Sequence, residues 1–278
     1  MTGNLLCFGL GYSARVLVRR LGPAWRVTGT SRSGGGGCRR FDRDHPLPAA
    51  SFAGVTHVLV SIPPDEAGDP VFAAHAADLA ALPGLVWLGY LSTTGVYGDR
   101  GGAAVDETAE LRPSSARGRR RVAAEAAWLG LWREHGTPVQ IFRLAGIYGP
   151  GRSAFDALRA GTARRFDRPG QVFSRIHVDD LAAVLAASIS RPRPGAIYNV
   201  CDDAPAAPAE VIAHAAGLLG IAPPPLEPFD PKRLSPMALS FWADNKRVCN
   251  GLFKRDLGIA LRYPDFRAGL AAILAEGG

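Results

Sequence analysis

Leu5-Leu6-Cys7-Phe8 followed by Gly9-Leu10-Gly11-Tyr12-Ser13-Ala14 is the stretch that decides the fold. An apolar run of strand length ends in a G-x-G-x-x-A that opens a helix over Ser13–Leu21. That order brings a strand, a tight turn and a helix N-terminus together around a dinucleotide pyrophosphate. Gly9 permits the turn, Gly11 lets a phosphate approach the backbone, and Ala14 is small enough for the helix to lie close to the strand. The first N–H groups of the helix, around Tyr12 and Ser13, and its positive dipole end face the phosphates. Taken alone the motif is also a Gly-rich strand-to-helix turn; the second strand that follows, Arg26–Thr30, favours the nucleotide.

The alternation continues along the chain. Apolar runs at Val55–Ser61, Leu85–Ser92 and Val139–Arg143 read as strands, separated by helical stretches at Pro70–Leu82 and Ala116–His135, as in a parallel sheet wrapped by crossover helices. Gly34–Gly37 and the Pro63-Pro64 pair mark loops. Beyond Pro150 the regularity weakens to helices near Phe155–Ala160, Val178–Ser190 and Pro208–Leu219 and a strand at Ile197–Val200. The expected fold is α/β, a doubly wound parallel sheet in a single protein over 1–278, with its core mainly in 1–150 and 176–203. A small C-terminal substrate lobe is expected mainly from 151–175 and 204–278.

At 278 residues, 47% hydrophobic and 21% charged, the chain is neither disordered nor a disulfide-built miniature domain. The net charge of +7 is mostly scattered arginine, with no aromatic stacking platform beside it, so no nucleic-acid partner is expected. Cys7, Cys38, Cys201 and Cys249 form no C-x-x-C pair; no metal is expected, and a reduced cytosolic thiol set is the default. Nothing basic precedes Leu5–Leu10, unlike a signal peptide. The longest later apolar stretch, Leu181–Ile189, falls short of the roughly 20 residues of a bilayer span. A cytoplasmic location without membrane attachment is the expectation.

Roughly 20 residues past the glycine turn, where an acid would take the ribose 2′-hydroxyl of NAD, stand Thr30-Ser31-Arg32-Ser33. A carboxylate repels a 2′-phosphate, whereas Arg32 and the flanking hydroxyls of Ser31 and Ser33 bind one, so NADP(H) is favoured over NAD(H). Without a cofactor, Arg32 is an ordinary exposed arginine at a strand end. Ser61, Ile62 and Pro63 lie at the C-terminal end of an apolar strand that would sit over the cofactor, or belong to plain core. Asp42 is a candidate for the adenine amino group, or a surface acid.

Leu91-Ser92-Thr93-Thr94-Gly95-Val96-Tyr97-Gly98, Asp106-Glu107, Pro113 and a helix carrying Glu125 resemble the extended short-chain dehydrogenase/reductase family, the NAD(P)-dependent epimerases and dehydratases. So do Arg143-Leu144-Ala145-Gly146-Ile147-Tyr148-Gly149-Pro150-Gly151, Ile176-His177-Val178-Asp179-Asp180-Leu181 and Tyr198-Asn199-Val200. The blocks run in family order from Leu5 to Val200, with a weaker echo in Leu257-Gly258 and Pro264. The resemblance implies a Rossmann-type sheet, hydride chemistry and a cofactor wall that includes Leu144. It also implies a homodimer through the helix of the catalytic pair, where Trp128, Leu129 and Trp132 offer apolar material for an interface or for the monomer's own core.

The resemblance fails at the proton donor. The family uses a Ser or Thr, a Tyr and a Lys; here Thr93 matches the hydroxyl, Arg117 stands at the tyrosine position and Arg121 at the lysine position. An arginine stays protonated and cannot exchange a proton as a tyrosine does. Residues 117 and 121 share one helix face. The reading that follows has Thr93 orienting the reacting oxygen, Arg121 keeping the cationic half of the lysine's role and Arg117 binding an anionic substrate. Tyr97, Tyr148 and His177 are open candidates for acid/base work, each also a packing residue. Gly146 stands where sugar-nucleotide epimerases often carry an Asn, so a nucleotide-sugar grip is not expected. The expected function is an NADP(H)-binding oxidoreductase or epimerase of a small polar or anionic substrate; the alternative is a non-catalytic NADP(H) sensor.

Overall fold

The computed structural model describes residues 2–277. In chain order the strands are β1 (Asn4–Phe8), β2 (Arg26–Ser31), β3 (Arg39–Arg40), β4 (His57–Val60), β5 (Trp87–Thr93), β6 (Ala104–Val105), β7 (Val139–Leu144), β8 (Gly146–Tyr148), β9 (Arg165–Asp167), β10 (Arg175–His177), β11 (Ile197–Val200), β12 (Leu226–Pro228) and β13 (Arg247–Val248). The helices are α1 (Tyr12–Leu21), α2 (Pro70–Ala80), α3 (Ala116–His135), α4 (Ala154–Arg159), α5 (Val178–Ser190), α6 (Pro208–Leu218), α7 (Pro236–Trp242), α8 (Gly251–Leu257) and α9 (Phe266–Ala275).

Seven strands form one sheet in the order β11-β7-β5-β4-β1-β2-β3, every pair parallel. The order reverses between β1 and β4, so the C-terminal strand ends open a crevice there, the position at which open α/β sheets bind ligands. The central strands β4 and β7 are buried along their whole length, because helices cover both faces of the sheet. On one face α1 and α5 bring Leu17, Leu181 and Leu185 against Leu5, Leu59 and Phe142. On the other, α2 and α3 bring Val71, Leu79 and Trp128 against Leu6, Val58 and Tyr90. Trp128 and Leu129 are therefore consumed in the protein's own core.

Local chemistry sets the ends of these helices. Asp69 accepts from the Val71 and Phe72 amides ahead of Pro70 to start α2, and Ser115 accepts from Gly118 N to start α3. Gly136, at φ 70, stops α3 in the left-handed conformation. His177 caps α5 through Nδ1, and Asp179 and Asp180 complement its dipole. The strand expected over Val55–Ser61 is shorter, His57–Val60, because Ser61 turns its hydroxyl onto the Phe8 and Gly9 carbonyls. The helix expected near Phe155 starts at Ala154, fixed by the reciprocal Ser153–Asp156 capping box.

β11, drawn from beyond Pro150, extends the main sheet beside β7. The other late strands form two-stranded parallel pairs, β8 with β10, β9 with β12 and β6 with β13. A further cluster, with Tyr148, Phe155, Val211, Phe266 and Leu270, joins α4, α6 and α9 into the lobe beside the sheet's C-terminal edge. No helix among the described residues is long and apolar enough to cross a membrane.

One buried polar network ties α3 to three strands of the sheet. Glu125 and Arg143 are 2% and 3% exposed and pair at 2.8 Å. Ser92 Oγ donates to Glu125, Arg143 Nη1 donates to Tyr97 Oη at 2.8 Å, and Tyr97 donates to Asn199 Oδ1 at 2.7 Å. Removing one partner of such a pair strands a buried charge. Glu125→Ala is expected to lower the unfolding free energy by about 3–5 kcal/mol in urea titration; a loss under about 1 kcal/mol, the range of exposed pairs, would show that the network does not hold α3.

At the end of β11, Asp202 is buried, and its Oδ2 has no hydrogen-bond partner among the described residues. Burial pushes its carboxyl up from the ordinary 3.8 to about 7. Between those values the native chain keeps a proton that the unfolded chain releases, so this group's contribution is full in acid and lost as pH rises through about 7. Asp202→Asn is expected to raise Tm by several degrees at about pH 8 and much less at about pH 5; an equal gain at both would refute the assignment.

Candidate functional site

The turn after β1 is built as a phosphate cradle. Gly9 sits at φ +89, and a Cβ there would lie 2.8 Å from Ser61 Oγ, so no other residue fits. Its amide donates to Thr30 Oγ1 at 3.0 Å and the Leu10 amide to Thr30 O at 2.9 Å, which anchors the turn to β2. Gly11 is the N-cap of α1 and contributes no side-chain cap; a Cβ on it would meet nothing within 4 Å. The turn therefore leaves room for a ligand against the first N–H groups of α1. Tyr12 bridges this loop to the one after β8 by donating to Pro150 O at 3.1 Å.

A cavity of about 720 Å³ opens at these strand ends. It gathers Gly11, Tyr12, Ser13, Ala14, Ser61, Thr93, Arg117, Arg121 and Leu144 on one wall system. Gly9 after β1, Ser31 and Arg32 at the end of β2, Asp42 after β3 and Ile62 and Pro63 after β4 lie outside that wall. Ser31 Oγ accepts from Gly34 N at 3.1 Å and shapes the loop, while the Arg32 side chain is exposed. Asp42 closes a local turn, taking His45 Nδ1 at 2.6 Å and Arg40 Nε at 3.2 Å; these contacts, His45 foremost, hold its carboxyl below the usual range.

The catalytic-side residues converge because α3 starts hard against the turn that follows β5. A Cβ on Gly118 would lie 2.9 Å from Gly95 O, so a glycine is needed for the two to touch. Thr93 ends β5, and its Oγ1 accepts from Gly95 N at 3.1 Å. Arg121 donates to Leu91 O and lies 5.7 Å from the Tyr90 ring centroid. Arg117 stacks over Phe241 of α7 at 4.8 Å, an aromatic that is itself 48% exposed. Among the described residues neither arginine has a carboxylate within ion-pair distance. Burial, then the charge of Arg121, lowers the pKa of Arg117 from the usual guanidinium value. Arg119 and Arg120 turn elsewhere, to Ser114 O and Glu66.

The open acid/base candidates take other duties. Tyr97 is locked between Arg143 and Asn199, and burial pushes its hydroxyl up to about 12. His177 is buried, accepts from Asp179 N at 3.2 Å through Nδ1 and packs between Tyr148 and Tyr263; burial lowers its pKa. Tyr148 borders the cavity but donates to Asp265 O at 3.3 Å, toward α9 rather than toward Thr93.

Four further residues complete the cavity without having stood out in the sequence. Arg175 of β10 donates to Phe173 O and Ala206 O at 2.8 and 3.0 Å. Lys246 donates to Gly98 O and pairs with Asp244, both at 2.9 Å. Phe241 and Arg152 close the mouth. Arg175 stands directly before Ile176-His177, which gave the only signal available; the others come from segments with no readable period.

The model of the NAD-dependent epimerase/dehydratase family matches residues 73–201. A conserved protein of unknown function from Silicibacter pomeroyi is 52% identical, with 99% of each chain covered and a TM-score of 0.91. YeeZ of Escherichia coli K12 is 33% identical over 180 residues; that match covers 63% of this chain and 58% of YeeZ, so the chain spans little more than half of that curated relative. The dTDP-glucose 4,6-dehydratase of Bacillus anthracis, solved with NAD, shares the fold at a TM-score of 0.77 and 15% identity, covering 98% and 96% of the two chains. Residues 73–201 of the chain thus carry the pattern of the NAD-dependent epimerase/dehydratase family, on a parallel sheet with the fold of its solved members.

Proposed function

We propose that the protein is an NADP(H)-dependent oxidoreductase or epimerase that acts on a small anionic substrate. The observation that carries this reading is a pair of cations, Arg117 and Arg121, one helical turn apart, without carboxylate partners among the described residues, on the same cavity as Thr93 and the N-terminus of α1. The residues fit a dinucleotide: Gly11 leaves open space where phosphate must approach, and the amides of Tyr12 to Ala14 supply donors at the positive end of α1. Arg32, exposed beside Ser31 and Ser33 at the end of β2, supports a 2′-phosphate over a bare 2′-hydroxyl. A bound nicotinamide supplies or takes up the hydride.

The chain's own residues then position and stabilise. Thr93 Oγ directs the reacting oxygen, and the two guanidiniums hold the negative charge that develops on it. Neither arginine exchanges a proton at working pH, and the tyrosines and histidine near the site are committed elsewhere, so protonation falls to water in the open cavity. The absence of the usual donor also supports a second reading, a nucleotide sensor without turnover; that reading requires Arg117 to be silent in any reaction.

Titration of the purified protein with NADPH and NADH, followed by melting temperature or tryptophan fluorescence, tests the cofactor assignment. NADPH is expected to bind about tenfold or more tightly than NADH, the scale of one charge-assisted phosphate contact, and Arg32→Ala to erase the difference. Equal affinity for the two would overturn the NADP(H) preference, and binding of neither would overturn the whole reading. Against a panel of small oxo acids, Arg117→Ala is expected to cut NADPH oxidation at least a hundredfold while leaving NADPH affinity within about twofold; a panel without turnover for either protein supports the sensor.

A further inference from the structure

Behind the main cavity lies a side chamber of about 370 Å³. Val211 from α6, Phe266 and Leu270 from α9 and Ala154 and Ala157 of α4 give it an apolar wall, with Ser153 and Asp156 of the α4 cap at its edge. Tyr148, Arg152 and Arg175 line both spaces, so these three form the neck between them. Two cations therefore stand where the main cavity meets the smaller one.

Neither cation is neutralised by a close acid. Among the described residues no carboxylate lies within ion-pair distance of Arg152 or Arg175. Arg152 leans over the Tyr12 ring at 5.9 Å. Arg175 spends Nη1 on the Phe173 and Ala206 carbonyls, which fix the guanidinium without cancelling its charge. Of the acids nearby, Asp156 is taken up by Ser153 in the α4 capping box, Glu210 is paired with Arg267, and Asp202 acts on Arg175 only at longer range. A half-buried, fixed guanidinium such as that of Arg175, with no counter-ion among the described residues, is stabilised by an anionic group brought to it.

We propose that the substrate is an oxo acid with a short apolar substituent: its carboxylate sits at the neck between Arg152 and Arg175, and the substituent fills the side chamber. This rests on the reading of the main cavity as a dinucleotide-dependent site and names the substrate class that the site selects. The carbonyl stays on the Thr93 side, where Arg117 and Arg121 stand, and the second pair of arginines fixes the other end of the molecule. Chamber and neck together discriminate by charge and by hydrocarbon length, as a pocket with an apolar lining and few placed polar groups does.

The test uses the full-length protein saturated with NADPH, titrated calorimetrically with acetate, butyrate and hexanoate, and with hexanamide as the uncharged control. Each methylene buried in the chamber is worth up to about fourfold in affinity. Hexanoate is expected to bind at least tenfold more tightly than acetate, and hexanamide at least tenfold more weakly than hexanoate. Ala157→Phe, which fills the chamber from α4, is expected to abolish the advantage of hexanoate over acetate without weakening acetate. Arg175→Met is expected to weaken all three acids; Arg152→Gln, at an exposed position, gives the same readout should Arg175→Met not fold. Equal affinity across the series, or a hexanoate advantage that survives Ala157→Phe, overturns the proposal. NADPH saturation is read first in the same sample, so loss of dinucleotide binding refutes the parent reading, whereas normal saturation with a flat carboxylate series refutes this one alone.

Discussion

The buried pair of Glu125 and Arg143 is the contact from which the working geometry of this protein descends. Arg143 projects from β7, Glu125 from α3, and the two are joined to β5 through Ser92 and to β11 through Tyr97 and Asn199. Two charges taken out of water at this depth must each be fully matched, or the loss exceeds what the fold can offset. Matching admits one rotation of α3 against the sheet. Because residues 117, 121 and 125 follow one another at helical spacing, fixing Glu125 also fixes Arg117 and Arg121, and it fixes them toward the Thr93 turn.

That geometry turns two positive charges toward the cavity, and both arginines keep their protons at any working pH. The surrounding groups with suitable chemistry have been drawn into structural duty: Tyr97 into the buried network, His177 into the cap of α5, Tyr148 toward α9. The site thus combines the parallel sheet and its glycine turn with a pair of cations on α3. Further positive charge where the two cavities meet, from Arg152 and Arg175, continues the same electrostatic theme into the lobe formed by α4, α6 and α9.

Much of this architecture was legible from local signals. The glycine turn and the alternation of apolar runs with helical stretches act over a few residues, and a parallel sheet buried on both faces leaves continuous hydrophobic runs. α3, α5 and β11 stand where their patterns place them, at Ala116–His135, Val178–Ser190 and Ile197–Val200. The short paired strands β6, β8, β9, β10, β12 and β13 were not legible, because two or three residues carry no period. Nor were α7, α8 and α9, which follow the proline break at Pro223–Pro225. Of the site, Gly11 to Ala14, Ser61, Thr93, Arg117, Arg121 and Leu144 were named from sequence and come together on one cavity. Arg152, Arg175, Phe241 and Lys246 were not: the first two only adjoin the Gly149–Gly151 and Ile176–His177 blocks, and nothing flanking the other two marks them.

The sequence by itself determined the parallel α/β sheet, the glycine turn at its switch point and the placing of Arg117 and Arg121 on one face of α3. These depend on backbone freedom, hydrophobic period and side-chain identity, all of which are local. Only the tertiary structure decided which polar residues face the cavity and which are buried as supports. Arg117 and Arg143, Tyr97 and Tyr148, His177 and Lys246 are chemically able to serve either way, and the choice between them rests on which partners the packing of α3, the β8–β10 pair and the C-terminal helices leaves within reach.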